Sequence, residues 1–278
     1  MTTSSPPKDI RTEYEKEYLL WKNWGTKGSF GNLDKPLDHY YSLQLRKTNV
    51  GHIRNVLEIG FGDGGFLAYA KSQEWNITGT ESNKRLVEIA RQEGFNAIHS
   101  DEFDELEDQY FDLVVAFDVL EHVKQEDLGR LLSSIHKKLT IGGALIARFP
   151  NGDSPFGLAH QHGDITHVTA IGSGKMVYFA KTCGFEIEFI GGEAEPILGD
   201  SVLHFLRMII FIPVKACLEV VTRLLFFPSV KTAFYSSNMV VVLKKQQASP
   251  ETDLLLCTSC RRAASRVDRN SERDRHPC

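Results

Sequence analysis

The segment Val56-Leu57-Glu58-Ile59-Gly60-Phe61-Gly62-Asp63-Gly64-Gly65 decides the fold. Its first four residues are apolar except for Glu58, and four of the next six are glycine. An apolar run that stops at glycines reads as a buried strand entering a tight turn. Glycine lets the backbone turn sharply and admits a ligand where a Cβ would intrude. Residues 66 to 73 then read as a helix, whose free N-terminal N–H groups suit polar or anionic atoms. At 60, 62 and 65 the glycines satisfy the dinucleotide pattern G-x-G-x-x-G; at 60, 62 and 64 they form a G-x-G-x-G loop. Neither match is specific by itself.

Working outward, the same alternation repeats. Strands are expected at Asn76–Thr80, Asn96–His99, Phe111–Phe117 and Ala144–Phe149. Helices are expected at Asn83–Gln92 and from Gln125 to Leu139, the latter closed by Gly142-Gly143. This alternation predicts βαβ units, a parallel sheet and helices on both faces. Ligands in such sheets bind beyond the carboxyl ends of the strands. After a polar loop over 151–172, a helix from Lys175 to Thr182, a strand from Phe185 and a last strand from Asn238 to Leu243 are expected. Upstream, residues 9–24 read as a helix with Tyr14, Tyr18, Leu19 and Trp21 on one stripe, followed by a short helix from Asp38.

Three carboxylates fall at neighbouring strand ends. Glu58 lies inside the first strand, where a plain core strand favours an apolar residue. Glu81 ends the second strand, at the spacing of a carboxylate that accepts hydrogen bonds from ribose hydroxyls. Asp101 ends the third. The trio suits an adenosine-bearing ligand that also carries positive charge, and suits a pyrophosphate poorly.

Over residues 54–150 these segments, in order and spacing, resemble the class I S-adenosylmethionine-dependent methyltransferases. Val56 to Gly64 resembles the family's first motif, Thr80-Glu81-Ser82 its ribose-binding position, and Ser100-Asp101-Glu102-Phe103 its adenine-contacting segment. Phe111 to Val114 with Phe117-Asp118-Val119-Leu120-Glu121-His122-Val123 resembles its fourth-strand segment. The resemblance implies a Rossmann-like α/β fold: a seven-stranded, mostly parallel sheet, an antiparallel last strand and a helical insertion before it. It implies S-adenosyl-L-methionine as cofactor. Glu81 and Ser82 would then hold the ribose, and Asp101 the adenine amino group beside Glu102 and Phe103. Gly60, Gly62 and Gly64 would line the methionine moiety, with Glu58 supporting the loop and the amino group. Phe61 and Phe103 would act as walls, and Phe117, Asp118, Val119 and His122 would lie under the transferring methyl.

A hydroxyl acceptor gains from a general base, most often histidine. The loop after the fifth strand supplies His160, His162, Asp164 and His167. The run from Gly163 to Thr169, followed by a helix and Gly184-Phe185, resembles a segment of bacterial methyltransferases acting on sugars and polysaccharides. His167 or His162 is the expected base or substrate ligand, with Asp164 beside them. The alternative for His167 is a brace for the following helix, and for His122 a supporting role beneath the cofactor. No metal is expected. The expected reaction is O-methylation of a sugar or glycan hydroxyl. Alternatives are a small-molecule acceptor such as a quinone precursor or a carboxylate, an NAD-binding oxidoreductase, and a non-catalytic binding module.

Composition bounds the rest. Lys plus Arg is 32 against 36 Asp plus Glu, a net charge of −4, so no nucleic-acid partner is expected. With 42% apolar and 24% charged residues, the 278-residue chain is neither mostly disordered nor a polytopic membrane protein. Five scattered cysteines and no signal pattern predict a cytoplasmic location, with peripheral attachment at the inner membrane surface as an extension. The expected organisation is an N-terminal helical extension (1–53), a methyltransferase core (54–195), an apolar helical insertion (196–236), the last core strand (237–245) and a disordered tail (246–278). Within 201–230, Pro213 is expected to split the helix, and Lys215, Glu219 and Arg223 mark one polar stripe. That segment reads as a surface for a dimer partner or for a membrane. Cys257 and Cys260 form a C-x-x-C without further zinc ligands nearby.

Overall fold

The computed structural model describes residues 17–22, 24, 29–195, 202–227 and 233–246. The first half of the helix expected over 9–24, and all but Gln246 of the disordered tail expected over 246–278, with its C-x-x-C, lie outside them. Residues 17–22 are helical.

Helix α1 (Lys35–Leu45) starts at Asp34, whose side chain accepts from the Leu37 N–H at 2.9 Å. The alternation follows: β1 (Asn55–Ile59), α2 (Gly65–Ser72), β2 (Asn76–Glu81), α3 (Lys84–Gln92), β3 (Asn96–His99), β4 (Phe111–Phe117), α4 (Gln125–Lys138) and β5 (Leu139–Pro150). Short 3₁₀ turns cover Ser100–Glu105 and Leu120–His122. Beyond β5 come α5 (Leu158–Gly163), α6 (Ser173–Thr182), β6 (Phe185–Gly192), α7 (Val202–Phe226) and β7 (Asn238–Lys245).

The seven strands run in the order β3-β2-β1-β4-β5-β7-β6. β1 to β5 pair in parallel, and β7 lies antiparallel between β5 and β6. This is the Rossmann-like sheet that the resemblance implies. Successive residues of a strand face opposite sides, so each central strand feeds two cores. Leu113 and Val115 pack with Val56, Phe66, Leu67 and Leu86 on the side of α2 and α3. Val114 and Ala116 pack with Leu57, Leu128, Leu132 and Ile135 on the side of α4. Both faces are covered, which is why the strands read as continuous apolar runs.

Two local expectations are corrected. Gly142 and Gly143 do not close α4, which ends at Lys138; they lie within β5, near a register shift against β4 between Phe111 and Leu113. Gly142 has φ +83° there, a bend that a side chain resists. Pro213 does not split α7, which runs through it. Proline removes one N–H from the ladder while the turns on either side keep theirs.

Gly79 sits in the middle of β2, where an added Cβ would lie 2.7 Å from Phe61 Cδ1 and 2.9 Å from Leu67 Cδ2. Gly79→Ala is expected to lower stability by about 1–3 kcal/mol through overpacking. Urea unfolding should show a lower midpoint at unchanged slope; an unmoved midpoint would mean that the core absorbs the methyl.

Candidate active site

The strand order reverses between β1 and β4, which leaves a crevice beyond their carboxyl ends. The glycine loop forms one lip. Gly60, Gly62 and Gly64 have φ of 68°, 54° and 79°. The Gly60 N–H donates to the Thr80 carbonyl at 2.7 Å, tying the loop to β2. A Cβ on Gly60 would lie 2.7 Å from Val119 Cγ2 on the opposite lip.

Two adjoining cavities of about 510 Å³ each open here and share Gly60, Asp118, His122, Tyr18 and Trp24. Each is the size of a small-molecule site. The first runs toward β2 past Glu81, Ser82, Asn83, Ser100 and Val119. Glu81 organises this end: Oε1 accepts from the N–H groups of Ser82 (2.7 Å) and Asn83 (3.0 Å), and Oε2 from the Gly62 N–H (3.2 Å). The carboxylate therefore joins the glycine loop to the start of α3.

The second cavity reaches under the loop to Glu58, Asp63, Phe117, Glu121, Arg148, Asp164 and His167. Glu58 is 5% exposed and its Oε2 has no hydrogen-bond partner. Burial, then the Asp63 and Glu81 carboxylates, pushes its carboxyl well above the usual value. Asp118 takes φ +57° and pairs with Arg148, whose Nε lies 2.9 Å from Oδ1. Glu121 is 1% exposed, and neither carboxylate oxygen has a hydrogen-bond partner. Burial and then Asp118 push it up to about 8. The His122 and His167 rings lie 4.6 Å apart, and His167 Nε2 is 3.8 Å from both Glu121 Oε1 and Asp164 Oδ2. Burial, then His167, lowers the His122 pKa. Burial would raise the Asp164 carboxyl, but hydrogen bonds from Thr166 and the Lys22 ammonium at 2.9 Å hold it well below the usual range.

The crevice thus brings together Glu58, Gly60, Phe61, Gly62, Glu81, Ser82, Phe117, Asp118, Val119, His122, Asp164 and His167, with His160 at its edge. Phe61 contributes backbone: its ring, 3% exposed, packs edge-on against Phe30 in the core. The remaining expected residues do not line the crevice. Gly64 caps α2 beneath Phe30. Asp101 is exposed, with Oδ2 3.2 Å from His99 Nδ1, while its neighbour Ser100 lines the cavity. Glu102 accepts from the His99 N–H at 3.1 Å, and Phe103 packs on the core beside α4. His162 is exposed on α5.

Sequence reasoning did not single out Tyr18, Lys22, Trp24, Tyr41, Glu121 or Arg148. Tyr18 donates to Asp164 Oδ2 at 3.3 Å, and the Trp24 ring covers Gly62, where a Cβ would lie 3.0 Å from it. The N-terminal segment is thus part of the crevice wall. The aromatic stripe at Tyr18 and Trp21 was the available signal.

A sequence model described as a methyltransferase domain matches residues 31–187. The chain belongs to the class I S-adenosylmethionine-dependent methyltransferases. Comparison with curated proteins finds no match to this methyltransferase. Solved structures share its fold. A SAM-dependent methyltransferase from Archaeoglobus fulgidus is 21% identical, with a TM-score of 0.54 over 85% of this chain and 100% of that one. The 1,6-didemethyltoxoflavin-N1-methyltransferase of Burkholderia thailandensis, solved with its substrate and S-adenosylhomocysteine, is 13% identical, with a TM-score of 0.50 over 89% and 93%. The [4+2]-cyclase SpnF is 16% identical, with a TM-score of 0.53 over 85% and 95%.

Glu58 gives this methyltransferase a measurable signature. A carboxyl raised above its unfolded value near 4.5 weakens the folded state as pH climbs past that value. Glu58→Gln removes the buried charge. Its melting temperature without ligand should gain on the parent progressively as pH rises above about 4.5. A pH-independent difference would show that Glu58 is not held protonated.

Proposed function

We propose that the enzyme methylates a hydroxyl oxygen of a sugar or glycan, with Glu81, Glu58 and the glycine loop as donor site and the His167 cluster as acceptor site. The observation that carries the donor half is Glu58: a buried carboxylate with an unpartnered oxygen, beside Asp63 and close to Glu81. A ligand bearing ammonium and sulfonium charge supplies what these acids lack, whereas a pyrophosphate would add negative charge to them. When bound, S-adenosylmethionine supplies a methyl already activated on sulfur, so the protein mainly aligns the reactants and excludes water.

Glu81 retains lone pairs to accept ribose hydroxyls while anchored by Gly62 and Ser82. Ser100 borders the adenine end, with Asp101 and Glu102 beside it in the same turn and Phe103 bracing that turn from the core. The backbone at Gly60, Phe61 and Gly62 borders the amino-acid end, and Gly64 starts α2 behind it. Phe117, Asp118, Val119 and His122 form the floor under the reacting carbon. His167, flanked by Asp164 and Glu121 and close to His122, is the group that handles the acceptor proton. His162, exposed on α5, binds the acceptor rather than the proton. Tyr18 and Trp24 keep water from the crevice. The aromatic rim of Tyr18, Trp21 and Trp24 favours a second reading, a planar small-molecule acceptor such as a quinone precursor.

The acceptor arrives at a membrane surface. Among the described residues no helix is long and apolar enough to cross a membrane. Yet α7 exposes Leu206, Ile209, Ile210, Phe211, Leu224 and Leu225. Its charged stripe is paired within the chain: Lys215 bonds Glu195 at 2.6 Å, and Glu219 accepts from Arg223 and from the N–H groups of Phe234 and Tyr235. That leaves the apolar face turned outward, as an interfacial helix presents it. A dimer through 201–230 is the competing occupant.

S-adenosylhomocysteine should raise the melting temperature in a concentration-dependent way, and NAD should not. Glu81→Ala should weaken its binding about tenfold or more, since a charge-assisted hydrogen bond contributes about 1.5–3 kcal/mol. Stabilisation by NAD alone would refute the donor assignment. Labelled methyl transfer should appear in glycan fractions and vanish in His167→Ala; label confined to aromatic small molecules would favour the second reading. The protein should float with liposomes, and Ile209→Glu with Leu224→Glu should release it. A non-floating parent that sediments as a dimer would assign α7 to the partner copy instead.

A further inference from the structure

At the floor of the crevice, Glu121, His122 and His167 each bring a potential ligand atom within 4.8 Å of the others. Three independent features mark this cluster as unfinished. Both carboxylate oxygens of Glu121 are buried without a hydrogen-bond donor, as is His167 Nδ1. A buried carboxyl group left in this way gives up its charge unless a cation compensates it. No described ammonium or guanidinium hydrogen-bonds to Glu121: Lys22 is drawn to Asp164 at 2.9 Å, and Arg148 to Asp118.

The surroundings also fix the imidazole. The Thr166 hydroxyl donates to Asp164 Oδ1 at 2.6 Å, so its oxygen accepts from His122 Nδ1 at 2.9 Å. His122 Nδ1 therefore carries the hydrogen, and the Nε2 lone pair is left free. A histidine oriented through its other nitrogen by a hydroxyl–carboxylate chain is the supporting shell typical of metal ligands. Asp164 is itself held by Lys22, Tyr18 and the Thr166 N–H.

We propose that Glu121, His122 and His167 bind one divalent cation, of which Zn²⁺ is the representative, next to the methyl-transfer point. Two imidazoles and one carboxylate form the donor set of three-ligand zinc sites that keep a coordination position open. The mixed nitrogen and oxygen set suits Mg²⁺ and Ca²⁺ poorly, since both favour oxygen ligands. Bonds of about 2.0–2.2 Å need the three donor atoms to draw together by about 1 Å, within reach of small side-chain rotations. The cation's task, though not its binding, rests on the methyl-transfer reading above, with His167 acting on the acceptor hydroxyl through the cation instead of taking its proton itself. At the open position an acceptor hydroxyl gives its proton to water and keeps the O–H electron pair for the new C–O bond. The methyl leaves the donor sulfur, which retains the old bonding pair.

The test uses the full chain stripped by a chelator and titrated with Co²⁺, then with Zn²⁺. Expected is a visible ligand-field absorption that saturates at one equivalent and is displaced by Zn²⁺. Glu121→Gln and His167→Asn should abolish it, and Thr166→Val should weaken Co²⁺ binding by about 10- to 100-fold by freeing the His122 ring. Each variant is checked for an unchanged melting shift with S-adenosylhomocysteine, which reports a folded crevice. No saturable Co²⁺ or Zn²⁺ binding by the parent overturns the proposal, as does binding that the folded variants leave unaltered. A parent that binds Co²⁺ in this manner but is not stabilised by S-adenosylhomocysteine would sink the donor assignment and leave the metal site standing.

Discussion

No side chain fits at residue 60. The backbone there turns at φ +68°, its N–H holds the end of β2, and the space where a Cβ would go belongs to Val119. This close approach joins the carboxyl ends of β1, β2 and β4 at the one place where the sheet order reverses. The crevice, the turn of Asp118 to positive φ and the position of the Leu120–His122 turn all follow from how near these two lips come. A bulkier residue at 60 would not merely block a ligand; it would push apart the strands whose ends define the site.

Around that contact the protein buries acid. Glu58 keeps one buried carboxylate oxygen that the chain leaves unpartnered, and Glu121 keeps two. Neighbouring carboxylates are treated differently: Glu81 is anchored by backbone N–H groups, and Asp164 by Thr166, Tyr18 and Lys22. The contrast separates acids that brace the fold from acids whose balance of charge comes from outside the chain. Buried polar groups are satisfied in nearly all proteins, so the exceptions locate chemistry.

The sheet and half of the crevice were legible because strand lengths fix the spacing between a glycine loop and the acid that ends the next strand. Glu58 stood out as one carboxylate in an apolar run, and Glu81 by its distance from Gly60. Asp101 was legible as a strand end, but its side chain turns to His99 and the cavity meets Ser100 instead, a rotamer choice that no pattern encodes. Phe61 read as a wall because it follows Gly60; its ring drops into the space that Gly79 leaves open. Glu121 was hidden in a motif quoted for its neighbours. Its meaning depends on His167, which reaches it through a loop whose path is set by tertiary bonds from Val168 and Thr169 to the Glu121 carbonyl. Tyr18, Lys22 and Trp24 belong to a segment whose docking follows from contacts far away in sequence. The period of Lys215, Glu219 and Arg223 was plain, but not the partners in Glu195, Phe234 and Tyr235 that take the stripe up.

The position of β7 carries a consequence for how the molecule is made. It pairs Ala144 with Lys244 on one side and Glu186 with Lys244 on the other, so it fills a slot between two strands synthesised long before it. During elongation, β5 and β6 have no bond to each other and present open edges, the feature that invites mispairing with other chains. Every residue that lines the crevice, Asn238 excepted, has been synthesised by then. The nascent chain can assemble its nucleotide-facing half early, while the opposite flank waits for a strand that must insert rather than add at the margin. A delay at that step leaves a ligand-competent yet adhesive intermediate, and cofactor binding to it would favour completion over association.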